Sequence, residues 1–423
     1  MKRRRLRMAA WSLAPLVLVG SLVCLRALQF NGAFEPKPPA PQSTATTTDP
    51  FLKVPLPDPD SDVLFGADAA HISIVRYSFT KGFWAREEQI SRSIGSGLQV
   101  DDRHYLFATF SGPFPAEIVA VDLESPRPWA AASVTQIGGT LYGTAFDATR
   151  HRYFVLASGR VHAFQVHGPN FKLVNTVNVN VNADAIVVDG AGRFLFTCPG
   201  QKATGCREFD IDAQTGAISP DEGREVQLSS LVHVLLSTSD GRFLLVPEVK
   251  PGIHRPPTYR LNPQGGPILV PGSALETPDV GYLRVYRLTA DGTINPVPGS
   301  PFPIQHPSWS ITLSPNGRFV YVGYQLFGAV RGEGLDAYSL DPKSGRLTLL
   351  PDAITPSHQG GETNPSRIIF GQSQERAFGT TRDEVIAYEA DPKTGHLTQR
   401  ARTFLWPGLG FVLSAPERTL QKQ

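Results

Sequence analysis

Five side chains in this sequence could bind or turn over a small polar molecule: His233, Glu248, His306, Glu362 and Arg367. An imidazole can take a proton from water or substrate, and a neighbouring carboxylate can orient it. A guanidinium can stabilise a carbonyl oxygen as it becomes an oxyanion. Without any chemistry, the same set could hold an anionic or sugar-like ligand. Each residue also has a plainer reading. His306 precedes Pro307 and fits a loop turn, and His233, between Val232 and Val234, fits a hydrogen-bonded histidine in a strand. Glu248 and Glu362 fit solvated rim carboxylates, Arg367 fits a structural brace, and His254 with Arg255 stands among loop prolines. The sequence contains no G-x-S-x-G, H-E-x-x-H, P-loop, paired C-x-x-C or EF-hand pattern, so neither a cofactor nor a metal is expected.

The elements that position these residues are written in a repeat. The phrase GRFLFT at 192–197 returns as GRFLLV at 241–246 and GRFVYV at 317–322, with weaker copies at 104–109, 152–157 and 376–381. The intervals between the aromatic positions Tyr105, Tyr153, Phe194, Phe243 and Phe319, and then Ala377, are 48, 41, 49, 76 and 58 residues. Short strands at a period near 40–50 residues predict four-stranded units arranged in a ring. Each unit reads as a first strand such as ADAIVVD (183–189), the GRF phrase, an alternating run such as CREFDI (206–211), and a fourth strand after a turn such as DPKSG (341–345). Asp212, Asp341 and Asp391 open those turns and read as turn residues rather than metal ligands.

The ends fit the same scheme. VLFG (63–66) and ISIVRYSF (72–79) lack a first strand before them, and GFVLSA (410–415) is a first strand with nothing after it. The predicted fold is therefore an all-β, seven-bladed β-propeller of four-stranded blades closed by strands from both termini, with six or eight blades as alternatives. It spans 62–416, carries an insertion at 247–280 within one blade, and leaves a tail at 417–423. In antiparallel blades the 2–3 and 4–1 connections share one face. The insertion, QLFGAVRGEG (325–334) and the five candidate residues all fall there, where binding loops are usually placed.

Phrases such as SPNGRFVYVG (314–323), VYRLTADGTINPVPGSPFP (285–303) and AYSLDPKSGRLTLL (337–350) resemble the lactonase-type seven-bladed propellers, a family that includes bacterial 6-phosphogluconolactonase. The resemblance covers about 62–416 and implies a cluster of His, Arg and Glu at one mouth of the ring. His233 falls near the family's Arg/His pair, and Glu248 is one residue out of register with its Glu. Asn182 and Asp184 stand where a His is implied, and Tyr324 and Gln325 where an Arg is implied. The resemblance and the loop placement together leave three functions open: a ligand- or protein-binding module, a hydrolase or isomerase of a small lactone, or a purely structural envelope scaffold.

Export is written at the N-terminus. KRRRLR (2–7) precedes an apolar stretch from Met8 to Leu25, so residues 1–30 read as a signal peptide or a signal anchor. Residues 31–61, rich in Pro and Thr, read as a spacer. The chain would then be extracytoplasmic, touching membrane only through its first segment. Six of its basic residues lie in the first 30, so the formal +2 becomes about −4 without them, and nucleic acid is not an expected partner. Cys198 and Cys206 are the only cysteines beyond Cys24. One ends a predicted second strand and the other begins a third, which predicts a disulfide, with two reduced thiols as the alternative.

Overall fold

A computed structural model describes residues 62–67, 71–78, 82–89, 94–100, 105–110, 116–122, 133–179, 183–199, 206–220, 223–226, 232, 234–250, 254–255, 259–261, 267–269, 275–276, 280–304, 308–326, 332–354, 365, 367–371, 375–381, 384–404 and 411–415. Every regular element among them is a β-strand, and no helix there is long and apolar enough to cross a membrane. The expected signal or anchor segment at 1–30, the spacer at 31–61 and the tail at 417–423 lie outside the described residues.

The strands form antiparallel sheets of four or five members, consistent with a β-propeller. Sheet 1 is Ile94–Val100, Tyr105–Phe110, Glu117–Asp122 and Ser133–Gln136; sheet 2 is Leu141–Asp147, Arg152–Ala157, Arg160–His167 and Asn170–Asn178. Sheet 3 is Ala183–Val188, Phe194–Pro199, Cys206–Asp210 and Arg224–Val226. In sheet 4, Leu236–Ser237, Phe243–Lys250, Val280–Leu288 and Ile294–Pro296 are joined by Phe302–Ile304. Sheet 5 is Ser308–Leu313, Phe319–Leu326, Gly332–Leu340 and Leu347–Leu349; sheet 6 is Arg367–Phe370, Arg376–Thr380, Glu384–Ala390 and Leu397–Phe404. A seventh sheet takes strands from both ends of the chain. Phe411–Ala415 pairs with Asp62–Ala67, Val63 opposite Ala415, and His71–Ser78 and Gly82–Gln89 follow outward.

The run that begins at the aromatic of each GRF phrase is largely apolar because both faces of the second strand are covered. On Phe243–Lys250, Leu244 and Val246 pack toward sheet 3, while Phe243 and Leu245 pack toward sheet 5. A fully buried ring such as Phe243 contributes about 1.5–3 kcal/mol by leaving water. Phe243 also explains why the GRF phrase and the DPKSG turn recur together. Gly345, at φ +77, belongs to the turn of sheet 5, and a Cβ there would collide with the Phe243 ring of sheet 4. That turn is thus seated on the aromatic of the preceding sheet, as Gly395 of sheet 6 is on Phe319 of sheet 5. The turn aspartates behave as read: Asp212 Oδ1 accepts hydrogen bonds from Thr215 N (2.6 Å) and Gln214 N (3.1 Å), and Asp341 accepts the same kind from Ser344 and Lys343.

The excursion at 247–280 differs from a plain loop. Residues 247–250 continue the ladder, Glu248 opposite Tyr282 and Lys250 opposite Val280. Farther out, His254–Arg255 pairs with Leu275–Glu276, and Tyr259–Leu261 pairs with Pro267–Leu269. Prolines mask these short pairings in the sequence, because strands of two or three residues leave too little alternation to read.

Candidate functional site

Glu248 and Arg367 are the two candidate residues whose placement is described; His233, His306 and Glu362 lie outside the described residues. Glu248 lies two residues before the end of the second strand of sheet 4 and is 2% exposed, so it is no solvated rim carboxylate. Its Oε1 accepts a hydrogen bond from Arg284 Nε at 2.9 Å, a diagonal contact with the neighbouring third strand. Burial acts to lower the Arg284 pKa, but the hydrogen bond and charge of Glu248 hold it above its ordinary value. Arg367 opens the first strand of sheet 6, opposite Thr380, and burial draws its guanidinium below the usual arginine value. It remains a cation at any ordinary pH.

Tyr324 lies at the corresponding end of the second strand in sheet 5. Its partner across the ladder is Gly334, where any Cβ would collide with the Tyr324 ring, so the glycine makes room for the phenol. Burial first, and then the negative charge of Asp336, raise the Tyr324 pKa. Asp184 lies in the first strand of sheet 3 and is partly exposed; Asn182 falls outside the described residues. His254 is in register with Glu276 in the inserted ladder. Glu248, Tyr324 and Arg367 therefore share the end of the sheets from which second strands exit and first strands begin.

A second polar site has little trace in the sequence. Between sheets 3 and 4 lies a cleft of about 470 Å³, lined chiefly by Glu208, Arg224, Arg284, Tyr286, Ile294 and Pro296. Glu208 sits on the third strand of sheet 3, opposite Phe196 and Arg224, and is 2% exposed. Its Oε1 is ion-paired with Arg224, which also reaches Asp210 (3.2 Å) and the carbonyl of Asp291 (2.6 Å) in the next sheet. Burial pushes the Glu208 pKa up to about 7, and Arg224 only partly opposes the shift. Gly292, at φ +83, is required here: a Cβ would strike both Arg224 and Glu208.

Cys198 and Cys206 form a disulfide, and both sulfurs belong to the layer between sheets 3 and 4. Cys206 is two residues before Glu208 and points to the same face, so the bond braces the strand that carries the buried carboxylate. The sequence holds one signal for this site: CREFDI places a glutamate at the parity of a core cysteine. Among the described residues no group of acidic, histidine or cysteine side chains could hold a metal ion.

Comparison with solved structures defines the fold. A protein of Bacteroides fragilis provisionally designated a 6-phosphogluconolactonase superposes with a TM-score of 0.58 at 13% identity, covering 84% of this chain and 98% of its own. Another with the same provisional designation, from Bacteroides uniformis, gives 0.56 at 12% identity, with 84% and 100% covered. A functionally unknown protein of Desulfotomaculum acetoxidans gives 0.57 at 12% identity, with 82% and 99% covered. The chain has the fold of the lactonase-like β-propellers. No family model and no curated protein matches the sequence.

Proposed function

We propose that this chain is an exported, seven-bladed β-propeller that binds a ligand or protein on the face bearing the 247–280 insertion. In this reading residues 1–30 are a signal peptide or anchor, 31–61 a spacer, 62–416 the propeller and 417–423 a tail. Seven blades and closure by both termini are supported by contacts among the first strands. Phe411–Ala415 touches Ile94–Val100, which touches Leu141–Asp147, and the chain of contacts runs on through sheets 3 to 6 until Arg367–Phe370 touches Phe411–Ala415. Export is supported by the disulfide, which suits an oxidising compartment.

One observation carries the preference for binding over catalysis: Glu248 is committed to Arg284. A buried carboxylate held in an ion pair is poorly placed to orient a histidine base or to accept a proton itself. Arg367 supplies the positive charge of the mouth, and a guanidinium in a partly dry setting attracts an anionic or sugar-acid ligand more strongly than one in water. His306, His233 and Glu362 would complete the mouth. The second reading, hydrolysis of a small lactone, is favoured by the fold shared with proteins provisionally designated 6-phosphogluconolactonases. There His233 or His306 would be the general base and Arg367 the oxyanion partner.

A hydrolysis screen against a panel of sugar lactones separates the two. The binding reading expects no turnover above the buffer rate. Turnover that His233→Ala or His306→Ala removes would overturn it in favour of the hydrolase.

A further inference from the structure

The cleft between sheets 3 and 4 meets the proposed mouth through the Arg284–Glu248 pair, but the inference drawn from it does not rest on either reading of the mouth. We propose that this cleft binds an organic cation, an amine or guanidinium carried on an apolar body, with the charge met by Glu208 and the body lying against Tyr286, Ile294 and Pro296.

The pairing of the lining charges decides the sign of the ligand. Two carboxylates, Glu208 and Glu225, and two guanidiniums, Arg224 and Arg284, line the cleft, while Asp210 and Glu248, outside the lining, pair with Arg224 and Arg284. Both guanidiniums are already engaged by carboxylates and offer an anion little. Arg224 takes only Oε1 of Glu208; among the described residues Oε2 has no hydrogen-bond partner. A carboxylate buried this deeply is costly as an anion, and burial pushes its pKa up to about 7, so below that pH it carries a proton. An ammonium donating to Oε2 would replace that proton, which passes to solvent while the ligand keeps its own hydrogens. Tyr286, Ile294 and Pro296 give the cleft an apolar lining, and an aromatic ring favours a nearby cation. A volume of about 470 Å³ lies within the usual range for small-molecule pockets.

The groups around Glu208 from both sheets fix the pH dependence. Arg224, Asp210 and Asp189 face it from its own sheet, and Arg284 and Tyr286 from the other wall of the cleft. Burial raises its proton affinity most, Arg224 opposes the shift, and Asp210 and Asp189 add to it, leaving its pKa at about 7. Cation affinity should therefore rise with pH and level off above about 7.

Three indole compounds of similar size test this by calorimetry: tryptamine (cationic), tryptophol (neutral) and indole-3-acetate (anionic). Tryptamine should bind saturably, at least tenfold more tightly than either counterpart, with roughly tenfold higher affinity at pH 8 than at pH 6. Glu208→Gln should weaken it at least tenfold and flatten the pH dependence. Because Glu208 is buried, Thr293→Trp serves as a second variant: it fills the cleft from an exposed position and should block tryptamine without lowering the melting temperature. Indole-3-acetate binding as tightly as tryptamine, tryptamine binding unchanged in Glu208→Gln or Thr293→Trp, or no saturable binding at all would each overturn the proposal.

Discussion

Asp62 and Arg376 form a buried ion pair between two sheets: Asp62 Oδ2 lies 2.9 Å from Arg376 Nε, the carboxylate fully buried and the guanidinium 11% exposed. Asp62 opens the strand that pairs with Phe411–Ala415, and Arg376 opens the second strand of sheet 6. The pair thus ties the N-terminal strand to a sheet built from the last hundred residues of the chain. Arg376→Met should cost about 3–5 kcal/mol in urea unfolding, because the carboxylate stays buried without its guanidinium. Asp62→Leu combined with Arg376→Met should recover much of that loss, since an apolar pair leaves no uncompensated charge. A single variant as stable as wild type would remove this pair from the account of closure.

The terminal strand makes a second prediction. Deleting residues 409–423 removes the strand paired with Asp62–Ala67 and exposes an edge on that sheet. The domain should unfold cooperatively at lower temperature, or fail to fold. Unchanged melting would mean that the pairing contributes nothing to stability.

The disulfide should be visible in solution. Thiol titration of the purified, unfolded protein without reductant should find neither Cys198 nor Cys206 free. With a sequence separation of 8, the loop-entropy argument predicts that a double Cys→Ala change costs about 2–3 kcal/mol. Two free thiols would contradict the bond.

Glu208 should give the protein an acid-side stability gain. Its pKa is about 7 in the fold against an ordinary 4.5, so the folded state binds the proton more tightly than the unfolded one. Its contribution is therefore fully present below about pH 4.5 and is lost as pH rises toward 7. The loss should be roughly 1–3 kcal/mol, below the full linkage value because the cleft admits water. Glu208→Gln should flatten this part of the stability profile, measured by urea unfolding between pH 4.5 and 8. A slope unchanged in the variant would assign it to other groups.

Much of the fold is legible in the sequence because it rests on local chemistry. The strand at 410–415 and the one at 63–66 each lack a neighbour in sequence, so their pairing can be inferred from the count alone. Asp212 and Asp341 can be read as turn residues because each recurs at the same offset from a glycine. The sites are less legible. Period-2 alternation tells which face of a strand a residue occupies, but not which diagonal neighbour it meets. Glu248 can therefore be placed at a strand end, while its commitment to Arg284 depends on the register of a strand that begins 32 residues later. Glu208, Arg224 and Arg284 come from two sheets, and only their packing turns them into one cleft. The inserted hairpin is hidden because its strands are too short to alternate.

Which face binds is the central claim, and one binding comparison tests it most directly. Titration calorimetry with a panel of sugar acids and their lactones would be run on wild type and two variants. The first variant combines His306→Ala with Arg367→Met; Glu248 is left in place because breaking its pair with Arg284 would cost stability. The second combines Asp212→Ala, Asp341→Ala and Asp391→Ala in the turns of the opposite face. The mouth variant should lose at least tenfold in affinity while still unfolding cooperatively, and the turn variant should melt lower and bind as wild type. Binding that survives in the mouth variant and is lost in the turn variant would contradict the claim.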